Sequence, residues 1–487
     1  MAKARSNANK ANGVGAAGGA GGGPQQRHPQ QQQQQPQQQQ PQQRQPQRFP
    51  WLIRDGSFYK KIVLLALPIA GQNVISFGVG LADNLMVSHL GESAISGIYA
   101  VNQIQNILHM LVMGLGAALV ILAAQYYGKG NLASVKTICA ASVKIAVGVG
   151  LALFVAMAAF GRPLLGLLSD SQSVVAEGLV YVGWLKWSFV FFCLTNVLLA
   201  AMRCAGSVNI GIATSLVAFF SNVLFNYIFI FGKLGFPEMG VAGAALATLV
   251  SRIVECAIIV CYVLFKDAKI QLRPRDMLRH DGALLRDYFR YGLPVIFGDI
   301  FWGFGGAAQA AIIGRLGESV IAASSIVGNL GQMFSVFVYG MATAGSLVVG
   351  QAIGVNDFER AKRSTKTLQL VYVCVGLASA SVMFALRGAV LSIPLFGALE
   401  AETMGYARQF ITVLCFMLIG TSYQMSSLQI VRAGGATHFV LMNDLIFVWL
   451  VIIPMALLAH YAFGAPPWVV FLCLKSDQVL KCSVAAV

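Results

Sequence analysis

Charge is what this sequence has least of. Asp, Glu, Lys and Arg make up only 11% of it, against about 25% in soluble domains. A solvated surface cannot be built from so few charges over 487 residues. Cysteine chemistry is missing too. The nine cysteines include no CxxC pair and no Cys/His spacing suited to zinc. Most, such as Cys193, Cys256, Cys261 and Cys415, sit inside apolar runs as small buried hydrophobes. No HExxH, GxSxG, P-loop or paired-histidine cluster is present, which speaks against an enzyme. Residues 1–48 lack the apolar h-region of a signal peptide. They are Gly, Ala, Gln, Pro and Arg, with a low-complexity run from Gln31 to Gln47 that cannot bury a core. The stretch up to residue 55 reads as a disordered basic tail. It is either a solvated extension or a contact to anionic headgroups through Arg44, Arg48 and Arg54.

What the chain does have is apolar length. Hydrophobic residues make up 57% and the mean hydropathy is +0.68. Runs long enough to cross a bilayer recur. Reading between polar breaks gives twelve spans: 62–89, 96–126, 134–160, 175–201, 208–231, 240–265, 289–314, 320–352, 366–386, 403–430, 437–461 and 467–487. The last carries Lys475, Asp477 and Lys481 and stops without a basic flank, which leaves open whether the chain is cut short there. The net charge of +15 does not point to nucleic acid, because the charges gather between apolar runs and in the tail. They alternate in density. Lys60, Lys61, Lys129, Lys136, Arg203, Arg360, Lys362, Arg363, Lys366 and Arg432 fall on one side, with six more in the long 266–288 connection. The other side holds little beyond Arg162, Lys233, Arg315 and Arg387. Lys and Arg stay cytoplasmic, so both termini are expected inside a multi-pass protein of the inner or plasma membrane.

The chain also repeats itself. With Leu67-Pro68 laid over Leu293-Pro294, Leu90-Gly91-Glu92-Ser93 falls on Leu316-Gly317-Glu318-Ser319 without a gap. Gln125 and Gly128 then fall on Gln351 and Gly354, and Arg203 with Gly206 matches Arg432 with Gly435 at a slightly different offset. Matched spans share one in/out orientation, so the duplication is parallel. The expected fold is all-α and transmembrane: twelve helices in two six-helix lobes with an internal pseudo-two-fold repeat. The divisions read as tail 1–55, N-lobe 56–265, cytoplasmic linker 266–288 and C-lobe 289–487. Secondary transporters are commonly duplicated in this way, with the substrate site between halves near the midplane.

Several segments, in order and spacing, resemble one family. LALP (65–68), Ala82-Asp83-Asn84-Leu85-Met86 and His89-Leu90-Gly91-Glu92 are similar to the opening helix of the MATE (multidrug and toxic compound extrusion) family of the MOP superfamily. The segments at 202–206, 240–248, 291–294 and 313–318 resemble later parts of it. The likeness covers the chain from about residue 58 onward. It implies a monomeric two-lobed antiporter in the lipid bilayer, with no cofactor. Such a protein exchanges Na⁺ or H⁺ for small-molecule drugs or other organic, often cationic, compounds by alternating access. The rival within the superfamily is a lipid-linked oligosaccharide flippase, which would need a cleft rich in Arg and Lys. Here the span interiors offer only Lys144, Lys186 and Arg252. A channel would not need a duplicated frame around one buried acid.

Asp83 is the leading candidate. Seven positions before Leu90, it lies about 10 Å inside the outer end of its helix. A carboxylate there is costly unless protonated, paired or wetted, which makes it a usable switch for H⁺ or Na⁺. The family resemblance makes it a coupling-ion residue. Its repeat mate is Gln309, so coupling is expected to be asymmetric. Asn222 and Asn226, at i, i+4, put two amides on one face of the fifth span. By resemblance that face lies near Asp83, although some members carry Asp where Asn226 stands. Asn196 and Thr248 match the same pocket more loosely. Arg252 and Glu255, at i, i+3, read as a structural ion pair. In some branches a glutamate and an aspartate of the second lobe bind Na⁺. Trp302 and Thr421 stand there, so that site is expected to be absent unless Asp299 substitutes. Pro68 and Pro294 are the expected hinges of equivalent helices. Phe77, Trp302, Phe304, Phe334 and Tyr339, with Gln309, are candidates for the substrate cleft, offering π faces to flat cations.

Overall fold

The computed structural model describes residues 52–168, 171–391 and 401–485. The expected tail falls outside them up to residue 51. Every regular element among the described residues is helical. Ten helices are long and apolar enough to cross a membrane, and a bent pair makes eleven. The chain runs α1 (Gly56–Val87), α2 (Glu92–Gly128), α3 (Leu132–Gly166), α4 (Gln172–Leu185) and α5 (Ser188–Cys204). Then come α6 (Asn209–Ile230), α7 (Gly240–Cys261), α8 (Gly282–Gly314), α9 (Glu318–Gly354) and α10 (Phe358–Leu391). It ends with α11 (Ala401–Ala433), α12 (Thr437–Leu445), α13 (Ile453–Leu457), α14 (Pro467–Lys475) and α15 (Asp477–Ala485). π-helical turns at Ile446–Ile452 and Leu458–Ala462 join α12 and α13 into one span.

Three expectations need correcting. The run at 175–201 is not one rod: α4 and α5 meet at a 56° bend, around the Lys186-Trp187 step. An apolar pattern sets the length of such a run but not its straightness. The last run is likewise broken at Ser476 into two nine-residue helices. The seventh span starts at Gly282, because Asp281 caps it by accepting the Ala283 and Leu284 amides. That cap lies inside the stretch read as linker.

The repeat is visible in the helix ends. Asp55 caps α1 by accepting the Ser57 amide, and Asp281 is its repeat mate. Gly91 (φ 97°) and Gly317 (φ 118°) start α2 and α9 in conformations that suit glycine. Pro68 and Pro294 both lie inside continuous helices. At 32 residues, α1 is about 48 Å long, well beyond the roughly 30 Å of hydrocarbon it must cross, so it tilts or protrudes.

The two halves form a pair of six-helix lobes that meet at one end. There α1 and α2 pack on α8 and α9 through small residues. A Cβ on Gly340 would sit 2.8 Å from the Ala66 carbonyl, one on Gly114 2.9 Å from Ile296, and one on Gly292 2.7 Å from Ala118. Tyr288 donates its hydroxyl to the Leu115 carbonyl at 2.9 Å. Ahead of α1, the Ile53 amide donates to Thr367 on α10. This is the end rich in Lys and Arg. Along α9 the residues from Ala344 to Gly350 are all buried, whereas Ile321, Met333 and Phe337, nearer its start, are exposed. The packing therefore closes the basic end and loosens toward the other.

Candidate cation and substrate site

Two helices of the N-lobe bring the first site together. Asp83 projects from the last two turns of α1. Asn222 and Asn226 lie one turn apart on α6 and are 2% and 1% exposed. Asn226 donates one amide hydrogen to Asp83 Oδ1 at 2.5 Å and another to Asn222 Oδ1 at 3.2 Å. Both donors are thus used, and the amide oxygen is left over. Asn226 Oδ1 is buried with no hydrogen-bond partner. Such an orphan acceptor costs about 1–3 kcal/mol. Here it lies beside a carboxylate, and oxygen donors of this kind suit a hard cation or a carboxyl O–H.

The other pocket candidates bond within their own helices: Asn196 Nδ2 to the Phe192 carbonyl at 2.8 Å, Thr248 Oγ1 to the Ala244 carbonyl at 3.1 Å. Arg252 Nη1 and Glu255 Oε2 pair at 2.8 Å. The Arg252 guanidinium lies 4.9 Å from the centroid of the Phe192 ring, and His109 lies against the same ring at 5.6 Å. Nothing in the sequence joined His109 to this group, because α2, α5 and α7 meet only in the folded lobe. A hollow of about 430 Å³ opens at the end of the N-lobe away from the Lys- and Arg-rich connections, with Leu90, Glu177 and Glu238 in its wall; Asp83 is not part of that wall.

The C-lobe is built differently. Gln309, the repeat mate of Asp83, accepts from Lys475 Nζ on α14 at 3.3 Å. Nearby lies an ionic chain the sequence did not reveal. Arg432 reaches Asp299 at 3.3 Å and Asp444 at 3.4 Å; Lys481 reaches Asp444 at 2.9 Å and Asp477 at 3.8 Å. These residues come from α8, α11, α12 and α15. The i, i+4 spacing of Asp477 and Lys481 was the one local signal. Asp299 is thus bound to an arginine. Thr421 Oγ1 bonds Gln478 Oε1 at 2.6 Å. Of the proposed cleft aromatics, Trp302 lines a shallow groove between α8 and α12, and Phe334 packs on the C-lobe core. Phe77 is partly buried on α1, and Phe304 and Tyr339 are exposed on α8 and α9.

The chain matches the MatE family model twice, over residues 68–228 and 294–458. It is 27% identical to a probable multidrug resistance protein NorM of Thermotoga maritima, over 62% of this chain and 64% of that one. It is 23% identical to a probable multidrug resistance protein YoeA of Bacillus subtilis, over 83% and 88%. The chain thus spans just under two thirds of the first relative and most of the second. Among solved structures it superposes with a TM-score of 0.80 on an outward-facing multidrug resistance MATE family transporter of the MOP superfamily. That pair is 21% identical and covers 88% of this chain and 94% of the other. A MOP superfamily transporter from Pyrococcus furiosus gives the same TM-score and coverage at 20% identity. The family model matches once in each half of the repeat, and on that ground the chain belongs to the MatE family.

Proposed function

We propose that this chain is a membrane exporter of small organic, often cationic, compounds, driven by Na⁺ or H⁺ entering through Asp83. The observation that carries this reading is the Asp83–Asn226 pair with its unpartnered amide oxygen. Asn226 Oδ1 can ligate Na⁺ together with the carboxylate, or accept the O–H of a protonated Asp83. Either event cancels the charge that would hold an organic cation. The excess of Lys and Arg at the closed end supports a cytoplasmic placement for that end and for both termini. The bundle then corresponds to an outward-open state. The coupling ion docks, the organic compound leaves, the lobes rock, and the ion is released inside. Relatives described as probable multidrug resistance proteins support the substrate class.

The test is drug-induced change in pH and in Na⁺ in proteoliposomes. Asp83→Asn should lose export by at least tenfold while still reaching the membrane. The ion whose movement also disappears is the coupling ion. Normal drug extrusion by this variant in everted vesicles sinks the scheme.

A further inference from the structure

The lobes meet at the basic end through two contacts related by the repeat. Gln125, in the last turn of α2, donates its side-chain amide to the carbonyl of Ala433, the last residue of α11, at 2.8 Å. Gln351, in the last turn of α9, donates to the carbonyl of Cys204, the last residue of α5, at 3.1 Å. Gln125 and Gln351 are repeat mates, and so are Cys204 and Ala433. The carbonyls are made available in the same way. Both helices end on a glycine with positive φ, Gly206 and Gly435. The backbone amides beyond each end turn back to Arg203 and Met202 in one lobe and to Arg432 and Val431 in the other. This leaves the terminal carbonyl facing outward. Each lobe thus offers one free carbonyl and one glutamine to the other.

The glycines beside the glutamines complete the fit. Gly128 lies against the backbone carbonyl of Gln351, and Gly354 against that of Gln125, so closely that a methyl group on either glycine would overlap the carbonyl it faces. Hydrogen in place of a side chain is what lets α2 and α9 approach there.

We propose that Gln125 and Gln351 form a two-part clasp, seated on Gly128 and Gly354, that holds the basic end of the cleft shut and must release in both halves before that end can open. The clasp rests on the reading of two lobes that rock. Because the repeat makes the halves alike, neither glutamine alone sets the closed state. Polar contacts between membrane helices shift an equilibrium about three- to tenfold each, so losing both should favour opening about ten- to a hundredfold.

A cross-link reads this geometry without any transport assay, so its outcome is separable from the identity of the ion or the substrate. A Cβ on Gly350 would lie 3.6 Å from that of Ala124, within the roughly 3.5–4.5 Å a disulfide needs. Ala124→Cys with Gly350→Cys, in full-length protein otherwise free of cysteine, should cross-link rapidly under copper phenanthroline. Adding Gln125→Ala and Gln351→Ala should slow cross-linking severalfold, with each single change giving part of the effect. Gly128→Ala should slow it as well. Size-exclusion profile and melting temperature identify any variant that fails to fold. Cross-linking as fast as the parent in the double glutamine variant overturns the clasp. So does an effect confined to one glutamine, or a Gly128→Ala protein that folds and cross-links normally.

Discussion

At the scale of single residues, the two lobes carry different electrostatics on a shared frame. The N-lobe keeps one carboxylate answered only by amides, whereas the C-lobe ties its acids to fixed cations. Lys481 is 2% exposed and bridges Asp444 and Asp477. Removing one partner of such a group leaves uncompensated charge and costs about 3–5 kcal/mol. Lys481→Met should therefore lower the melting temperature of the detergent-purified protein strongly. Arg252→Gln, which is partly exposed beside Glu255, should lower it less. Equal effects would mean that the C-lobe chain is no more structural than an ordinary pair. Asp83 stood out in the sequence because an acid inside an apolar run is rare. Its pairing with Asn226 was suggested by family resemblance and by the i, i+4 amides, not by distance along the chain. Lys481 did not stand out as a partner of Asp444, because that contact forms only where α15 packs beside the span that carries Asp444.

At the scale of elements, the places of the helices were legible, but their ends and breaks were not: the run read at 366–386 is a helix from Phe358 to Leu391. Hydropathy reports how far a segment stays apolar, but the 56° turn between α4 and α5 depends on what packs on either side. The connection ahead of α8 shows the same limit. The sequence marks it only as a basic linker between lobes, yet a short 3₁₀ turn at Pro274–Leu278 docks on α3. Asp276 there accepts the Arg273 amide at 2.9 Å and lies 3.7 Å from Lys136 and 2.8 Å from Arg279. Burial pushes its carboxyl up, but the Arg273 amide, Lys136 and Arg279 outweigh this and hold it below the usual carboxylate range. A lowered folded-state pKa gives stability that is full above the unfolded value of about 3.9 and fades as pH falls through the folded one. Hydrogen exchange over residues 273–279 should thus stay slow from pH 7 down to about pH 4. Asp276→Asn should speed it several-fold at pH 7. Wild-type protection, the slowing of exchange relative to an unstructured peptide, that falls between pH 7 and 5 would contradict the sign.

At the scale of the whole molecule, α9 is buried toward the basic end and exposed toward the other; on the proposed reading the looser end is the one that admits a ligand. On that reading, with the basic end inside, an inside-negative potential would pull the coupling ion inward. The energy is about 2.3 kcal/mol per charge per 100 mV, which sustains roughly a 50-fold gradient of a neutral compound. Imposing such a potential on proteoliposomes should raise export of a neutral dye toward that ratio, and Asp83→Asn should be insensitive to it. Voltage-independent export by the wild type would exclude net charge entry.

The sequence by itself determined the membrane environment, the approximate placing of the apolar spans, the parallel duplication and one acid, Asp83, inside an apolar run. Those features follow from composition, run length and repetition, which are properties of the chain taken in order. Tertiary structure alone decided that Asn226 would spend both amide hydrogens and strand its oxygen beside Asp83. It also decided that Lys481 would neutralise two C-lobe acids and that Gln125 and Gln351 would reach across to the opposite lobe. Each of these depends on helices far apart in sequence arriving side by side, and in a bilayer nothing short of that arrival fixes which polar group finds which partner.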